Sequence, residues 1–444
     1  MKLVKTFFLF SFIFVFVTGV SGQEKITLSS AITTALNQNT SVIKSTNSIE
    51  TSVASLKNAY GNLLPNLNLS SGWNWQRTSS SGGTTVLDFY GQPQSQPATE
   101  TDSRSYSMSL GGNVTLFDGL ANISTIGQRK SDLQSAKYDL EKLRQDVILQ
   151  TVNLFITIIN DEKILKFQTE DVKFNEDMLN KVKEMFDLRM KANVDLYSQE
   201  YQTSNSKLSY LQAKSNYEKS KITFLNYLSK DILKDYTFEI DTLNLPESVK
   251  NIDNIEALIK TALNNRNDYQ SSKLKLESSE YSLTIARGGL FPSLSGTYNF
   301  STSATQPSDL FSRKVYSVGL SFSFPIFSRW STELAMQTAS VLNKNSNEDL
   351  NALERQIISD VKNAVLDLQT AKLQLEVTKA ALKSAKETWE IQRDSYTLGS
   401  ATYIDQQQSY RDYIQATNNE IASESNFIYR QFGLLSALGL LKNE

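Results

Sequence analysis

The sequence predicts a membrane protein of mixed α and β structure, built from two copies of one architectural unit, with four strands and several very long helices. Three observations predict it. The chain repeats itself at fixed offsets, long proline-free segments fill most of each copy, and four short segments alternate apolar or aromatic residues with Ser, Gly and Asn. A shift of 227 places Thr34–Leu36 on Thr261–Leu263, Glu50 on Glu277, Ala59 on Ala286, Gly61 on Gly288 and Pro65 on Pro292. A shift of 210 places Tyr106 on Tyr316, Leu110 on Leu320, Leu188 on Leu398, Asp195 on Asp405 and Leu228 on Leu438. The 17-residue difference falls between Pro65 and Tyr106. A repeat this long exceeds the period of a solenoid and implies two pseudo-symmetric halves.

Each half is expected to read helix, strand, loop, strand, very long helix, short break, helix. The chain divides accordingly into residues 1–22, a first repeat at 23–229, a linker at 230–251 and a second repeat at 252–444. The first helix begins at the N-cap Thr27, and its copy at the N-cap Asn254. It ends near Gly61, ahead of Pro65. The long helix is expected over about 118–188 and its copy over 328–398, each about 100 Å long at about 1.5 Å per residue. The last helix follows over about 195–229, with its copy over 405–439. The two shorter helices together match the long one in length, so a pair of them stacked end to end would lie beside it. In the second long helix Leu368, Ala371, Leu375, Thr378, Leu382, Ala385, Trp389, Gln392 and Tyr396 recur at steps of three and four, a heptad seam.

The strands decide the solvent. Tyr106, Met108, Leu110, Val114 and Leu116 alternate with Ser105, Ser107, Ser109, Asn113 and Thr115; Tyr316, Val318, Leu320 and Phe322 alternate with Ser317, Gly319, Ser321 and Ser323. Leu67, Leu69, Trp73 and Trp75, and in the copy Leu294, Tyr298 and Phe300, repeat the pattern more loosely. A half-buried soluble sheet alternates in this way too, but strands of about 10 residues with one aromatic and one small polar face suit a membrane barrel with a wet lumen. The apolar face is expected to meet lipid. Membrane barrels begin at about eight strands, and open edges are not tolerated in lipid, so a chain with four must oligomerise. The connections at 78–104 and 301–313 are polar caps, and 235–243 is expected to add a small strand ended by Pro246.

The ends and the composition narrow the function. Lys2 and Lys5 precede an apolar run from Phe7 to about Val20, and Val20-Ser21-Gly22 offers a small-residue cleavage site, the pattern of an export signal. That run is too short to span a bilayer, and its removal takes the net charge from −2 to about −4, no footprint for nucleic acid. The chain has no Cys and no His. Disulfides, His-ligated metals and a Ser-His-Asp or Cys-His site are thereby excluded, and no P-loop, G-x-S-x-G or HExxH motif occurs. No cofactor and no enzymatic activity are expected.

The chain resembles the TolC family of outer membrane efflux proteins over essentially all of residues 26–441. The resemblance rests on ITLSSAITTALNQN with its copy IEALIKTALNNRN, GNLLPNL with GGLFPSL, and VTLFDG with FSFPIF, in the order and spacing of the duplication. It implies a homotrimer in which four strands per chain close a 12-stranded β-barrel in the bacterial outer membrane, continuous with a long α-helical coiled-coil barrel across the periplasm. It further implies an exit duct for a tripartite efflux pump or type I secretion system, whose partners are a periplasmic adaptor and an inner-membrane pump. A periplasmic coiled-coil adaptor or scaffold without a barrel is the alternative reading, although a scaffold has no use for four aromatic–serine strands.

The resemblance also implies a functional spot at the helix–helix turns. YTLGSATYIDQQQ matches the family's tip pattern at Tyr396, Gly399 and Asp405, while Gln408 stands where the family has a second acid and Ala401 where it has an arginine latch. In the first copy Asp195 matches and Arg189 replaces the glycine. Three copies of Asp405 around a narrow wet constriction would attract cations. Asp195 and Tyr396 are expected to hold neighbouring helix pairs together by a hydrogen bond. A plainer role for both aspartates is to cap the helices that follow.

Overall fold

A computed structural model describes residues 24–83, 85–95, 97–239 and 254–441. The predicted export segment at 1–22, most of the predicted linker and Pro246 lie outside the described residues. The first repeat contains β1 (Glu24–Thr27), α1 (Leu28–Gln38), α2 (Thr40–Gly61), β2 (Asn68–Ser80), β3 (Thr85–Leu87), β4 (Pro93–Ser95), β5 (Thr99–Phe117), α3 (Ala121–Asp187) and α4 (Asn193–Tyr227). After β6 (Tyr236–Glu239) the second repeat contains α5 (Ile255–Asn265), α6 (Asn267–Gly288), β7 (Ser293–Ala304), β8 (Lys314–Ser323), α7 (Ser331–Thr397) and α8 (Tyr403–Ala437).

The long helices are both 67 residues, and each ends within a few residues of its expected bounds. The first helix of each repeat differs from expectation. It is broken at Asn39 and again at Arg266, where ψ swings to 122° and 121°. These two residues are repeat mates, and local chemistry supports each break differently. Asn39 Oδ1 accepts from the backbone N–H of Ser41 and Val42 and caps α2. Arg266 instead reaches across to both oxygens of Asp268 (3.0 and 2.6 Å) and to Asp360 Oδ2 on α7 (2.8 Å). That ion pair is largely buried, so removing one partner would strand a charge. The expected N-caps are observed: Thr27 forms a capping box with Ser30, and Asn254 accepts from Ala257 N–H.

The sheet is antiparallel in the order β2-β5-β7-β8, which leaves β2 and β8 as edges. Its register confirms the parity read from the sequence. Leu69 lies opposite Leu110, Leu110 opposite Phe300, and Phe300 opposite Tyr316, all on one face, with the last two rings 5.1 Å apart. Ser70, Ser109, Ser301 and Asn299 belong to the other face, where the Ser70 and Ser109 hydroxyls bond at 2.7 Å. The apolar face is uncovered, with Val318 88% exposed. The polar face admits little extra bulk, since a Cβ on Gly111 would fall 2.7 Å from Asn299 Oδ1. Strands β2 and β5 extend beyond their expected ends, so the connection shortens to residues 81–98 and carries its own small hairpin, β3–β4.

The short helices stack in line beside the long ones, as expected from their lengths. Near the sheet the helices lie side by side in the order α2, α3, α6, α7; beyond the midpoint the order is α4, α3, α8, α7. The largest core sits at the midpoint, where α1, α5 and the parallel pair β1–β6 wrap the long helices. Phe155, Phe224 and Phe238 pack edge to face there, at 5.7 to 6.3 Å. Strand β6 falls inside the predicted 235–243 segment. Among the described residues no helix is long and apolar enough to cross a membrane.

Candidate functional site

The turns joining α3 to α4 and α7 to α8 lie at the end of the rods farthest from the sheet. Both close in the same way. Arg189 N–H bonds to Phe186 O (2.8 Å) and Met190 N–H to Met185 O (2.8 Å); in the copy Gly399 N–H bonds to Tyr396 O (3.1 Å) and Ser400 N–H to Ser395 O (2.9 Å). This is the Schellman arrangement, which needs a left-handed residue just past the helix. Gly399 supplies it at φ 76°, a conformation glycine adopts without steric cost. Arg189 takes the same conformation at φ 60°, against its Cβ. The exposed Arg189 guanidinium makes no hydrogen bond or ion pair among the described residues.

The aspartates do not occupy the cap positions expected for them. Each following helix starts two residues earlier, so Ala192 and Thr402 are the N-caps and Asp195 and Asp405 are the third helical residues. Asp405 serves the cap from there. Its N–H donates to Thr402 Oγ1 (3.2 Å), and its Oδ2 accepts from Thr402 N–H (3.3 Å), a capping box. Asp195 has only alanine to work with and forms no such box; it contributes its charge to the first turn. Asp405 is exposed. Gln408, also exposed, is engaged along its own helix, donating to Asp412 Oδ1 and accepting from Arg411 Nη2, both at 2.9 Å. Tyr396 is buried beside Tyr403, with the Lys191 ammonium 4.1 Å above its ring, and its hydroxyl has no partner among the described residues. The expected bond between Asp195 and Tyr396 is therefore not formed within a single chain.

A larger polar construction lies just inside the tip, and the sequence reading missed it. Asn175 on α3 is fully buried; its Nδ2 donates to Asp171 Oδ1 (3.0 Å). Gln199 Nε2 on α4 donates to Asn175 O and Oδ1 (3.2 and 3.3 Å). Gln199 Oε1 in turn accepts from Tyr403 OH (2.9 Å) and Gln407 Nε2 (3.3 Å), both on α8. Tyr410 OH, also on α8, donates to Asp171 Oδ1. One hydrogen-bonded chain thus ties the α3–α4 hairpin to α8. Aromatic rings flank it: Trp389 stacks on Tyr413 at 4.9 Å, and Phe174 packs on Tyr410 at 4.7 Å. Burial pushes the Asp171 carboxyl above the usual carboxylate range, against the bonds from Tyr410 and Asn175. Burial likewise raises the Tyr403 and Tyr410 hydroxyls. A signal was present in the sequence: Gln168, Asp171, Asn175, Met178 and Val182 step by three and four along α3, with polar residues at seam positions.

Among the described residues no cluster of His, Cys, Asp and Glu could hold a metal ion. The arrangement is one of packed helix ends, buried polar ties and exposed acids.

The profile of the family described as outer membrane efflux protein matches residues 31–229 and 258–440, almost the whole of both repeats. No curated protein sequence matches the chain. Solved structures of the same fold are numerous. The Campylobacter jejuni CmeC outer membrane channel superposes with a TM-score of 0.80 at 19% identity, covering 93% of this chain and 85% of that one. A membrane protein from Pseudomonas aeruginosa does so with a TM-score of 0.80 at 15% identity, covering 94% and 91%. The outer membrane protein VceC from Vibrio cholerae gives 0.76 at 14% identity, covering 93% and 96%. With both repeats matched and the fold shared from end to end, the chain belongs to the TolC family of outer membrane efflux proteins, channels that reach from the outer membrane into the periplasm and conduct cargo without acting on it chemically.

Proposed function

We propose that three copies of this chain close into a single duct, a 12-stranded barrel in the outer membrane continuous with a ring of twelve helical rods. In this reading it is the exit part of a tripartite efflux pump or type I secretion system, passively conducting small molecules or proteins from the periplasm to the exterior. The periplasmic adaptor and the inner-membrane pump would be its partners. The observation that carries the reading is that the chain has two unpartnered flanks of matching kind. One flank holds α2, edge strand β2 and α4; the other holds edge strand β8 and α7. Both are apolar at heptad spacing: Tyr201, Leu208, Leu211 and Ile222 stand exposed on α4, and Leu366, Leu373, Val377 and Ile391 on α7. A flank that fits its opposite, and not itself, makes a heterologous contact, which closes into a ring when the rotation between copies is a whole fraction of a turn.

The test is the mass of the detergent-solubilised protein by light scattering, with three chains expected. A single chain that retains its sheet and conducts would end the reading. Within the trimer Leu320 faces lipid and Ser321 the lumen, so Leu320→Arg near mid-membrane costs about 2–4 kcal/mol while Ser321→Arg alters conductance. At the tip we place the gate, with Asp405 as its ring of acids and Asp195, Tyr396, Gly399, Gln408 and Arg189 around it. The unpartnered Tyr396 hydroxyl and the free Arg189 guanidinium are then available to a neighbouring chain. Asp405→Asn keeps the acceptor of the capping box and removes the charge. Single-channel currents of that variant should lose cation selectivity and block by a trivalent cation; unchanged currents leave Asp405 only its cap.

A further inference from the structure

The two strand-to-strand connections at the end of the sheet away from the helices differ in kind. Residues 305–313 make a short turn around the 3-10 segment Pro307–Asp309. Residues 81–98 carry the β3–β4 hairpin, which has no counterpart among the described residues of the second repeat. The hairpin's turn is well built. Asp88 Oδ1 accepts from the N–H of Tyr90 and of Gln92 (2.9 Å each), and the main chain closes through Asp88 N–H to Gln92 O (2.9 Å) and Gly91 N–H to Asp88 O (3.0 Å). Gly91 takes the positive φ, 73°, that the turn needs. This ordered support holds Phe89 98% and Tyr90 85% exposed, their rings 5.7 Å apart and edge to face. Apolar surface of this size, raised on a hydrogen-bonded turn, fits a contact with another aromatic surface better than one with water.

Charge and reach identify the occupant. Between residues 78 and 103 there is no Lys or Arg, and Arg77 just outside is paired with Glu100 and Asp102, so the hairpin offers no free cation to an anionic membrane surface. The nine residue steps from Ser80 to Phe89 can span up to about 30 Å. Twelve strands about 4.8 Å apart, tilted by about 40°, make a ring of roughly 12 Å radius. A tip anchored on the rim can therefore reach the axis. A three-fold ring would carry three tall hairpins alternating with three short turns, leaving the space above the lumen to the hairpins alone.

We propose that Phe89 and Tyr90 of three copies pack against one another across the external mouth of the duct and close it, a second barrier at the opposite end from the tip. The proposal rests on the trimeric reading above. The absence of native cysteine makes its test direct. In the Phe89→Cys protein, oxidation should link two of the three chains, giving a dimer band on denaturing gels. Failure to link while light scattering still shows three chains overturns the contact; a single-chain mass overturns the assembly, and the contact with it. Closure is read separately with Ser321→Cys and a bulky, membrane-impermeant maleimide added from outside. Labelling should speed up severalfold when Phe89→Ser and Tyr90→Ser are added. An unchanged rate in the assembled trimer overturns the barrier.

Discussion

The two helical hairpins descend from one sequence and make the same turn, but they are held in opposite ways. The α3–α4 hairpin has a poor turn and a rich interior. Its left-handed residue is Arg189, its N-cap is Ala192, and Asp171, Asn175, Met178 and Val182 are buried along α3. The α7–α8 hairpin has a good turn and a thin interior. Its left-handed residue is Gly399 and its N-cap Thr402 forms a capping box, yet at the repeat mates of those four buried positions α7 carries Ala381, Ala385, Thr388 and Gln392. Between Ala371 and Tyr396 no residue of α7 is fully buried in the chain. The contrast teaches that local turn chemistry and side-chain packing are interchangeable sources of order.

The sharpest break of this comparison is Asn175→Ala. It strips donors and acceptors from both Asp171 and Gln199 and leaves them buried, a cost of about 1–3 kcal/mol that denaturant titration would show as an earlier midpoint. Its mirror, Ala385→Ser in the second hairpin, should be near neutral; equal losses would mean the hairpins are packed alike. Next in size is the cap. Thr402→Ala should destabilise the start of α8 by about 1 kcal/mol, and Ala192→Thr should supply α4 with a cap it lacks. Amide exchange in the first turn of each helix would show protection moving in opposite directions. The left-handed position gives a similar but smaller contrast: Gly399→Ala costs about 1 kcal/mol, while Arg189→Gly gains less, because glycine also adds freedom to the unfolded chain.

The last contrast is in pH, because only the first hairpin buries a carboxyl at this seam. The Asp171 carboxyl titrates above its unfolded value of about 3.8, so the folded state holds the proton more tightly. Its contribution is then greatest in acid and is lost as pH rises from that value through the raised folded one. Asp171→Asn keeps an acceptor for Tyr410 and Asn175 and cannot ionise. It should remove this fall in melting temperature with pH while leaving the value in acid nearly unchanged. A wild-type profile that rises with pH through this window, with a variant that stays flat, would show that the carboxyl is ionised in the fold.

The repeat, the order of elements, the ends of the 67-residue helices and the two faces of each strand were all legible in the sequence. These depend on local rules: a run without proline, a seam at steps of three and four, a period of two. Helix breaks were less legible. Asn39 reads as a turn former, but Arg266 does not, and its break is supported by Asp360, nearly a hundred residues away. The tip was found by its motif, yet Asp195 and Asp405 were assigned to caps actually formed by Ala192 and Thr402, because a cap is set by where the helix starts and that boundary was two residues off.

By itself the sequence determined which segments are helix and strand, that the halves are equivalent, and which face of each strand is apolar. The first and last follow from neighbours a few residues apart, and the equivalence of the halves from matches at offsets of 210 and 227. Only the tertiary structure decided what each seam touches: that Gln199 meets Tyr403, that Tyr410 meets Asp171 across 239 residues, and that α7 and β8 share one flank while α4 and β2 share the other. The physical reason is geometric. Heptad spacing specifies a stripe along a rod, whereas the partner of that stripe depends on how the rods are rotated and stacked, and that is set where all of them pack together at the core around Phe155 and Phe224.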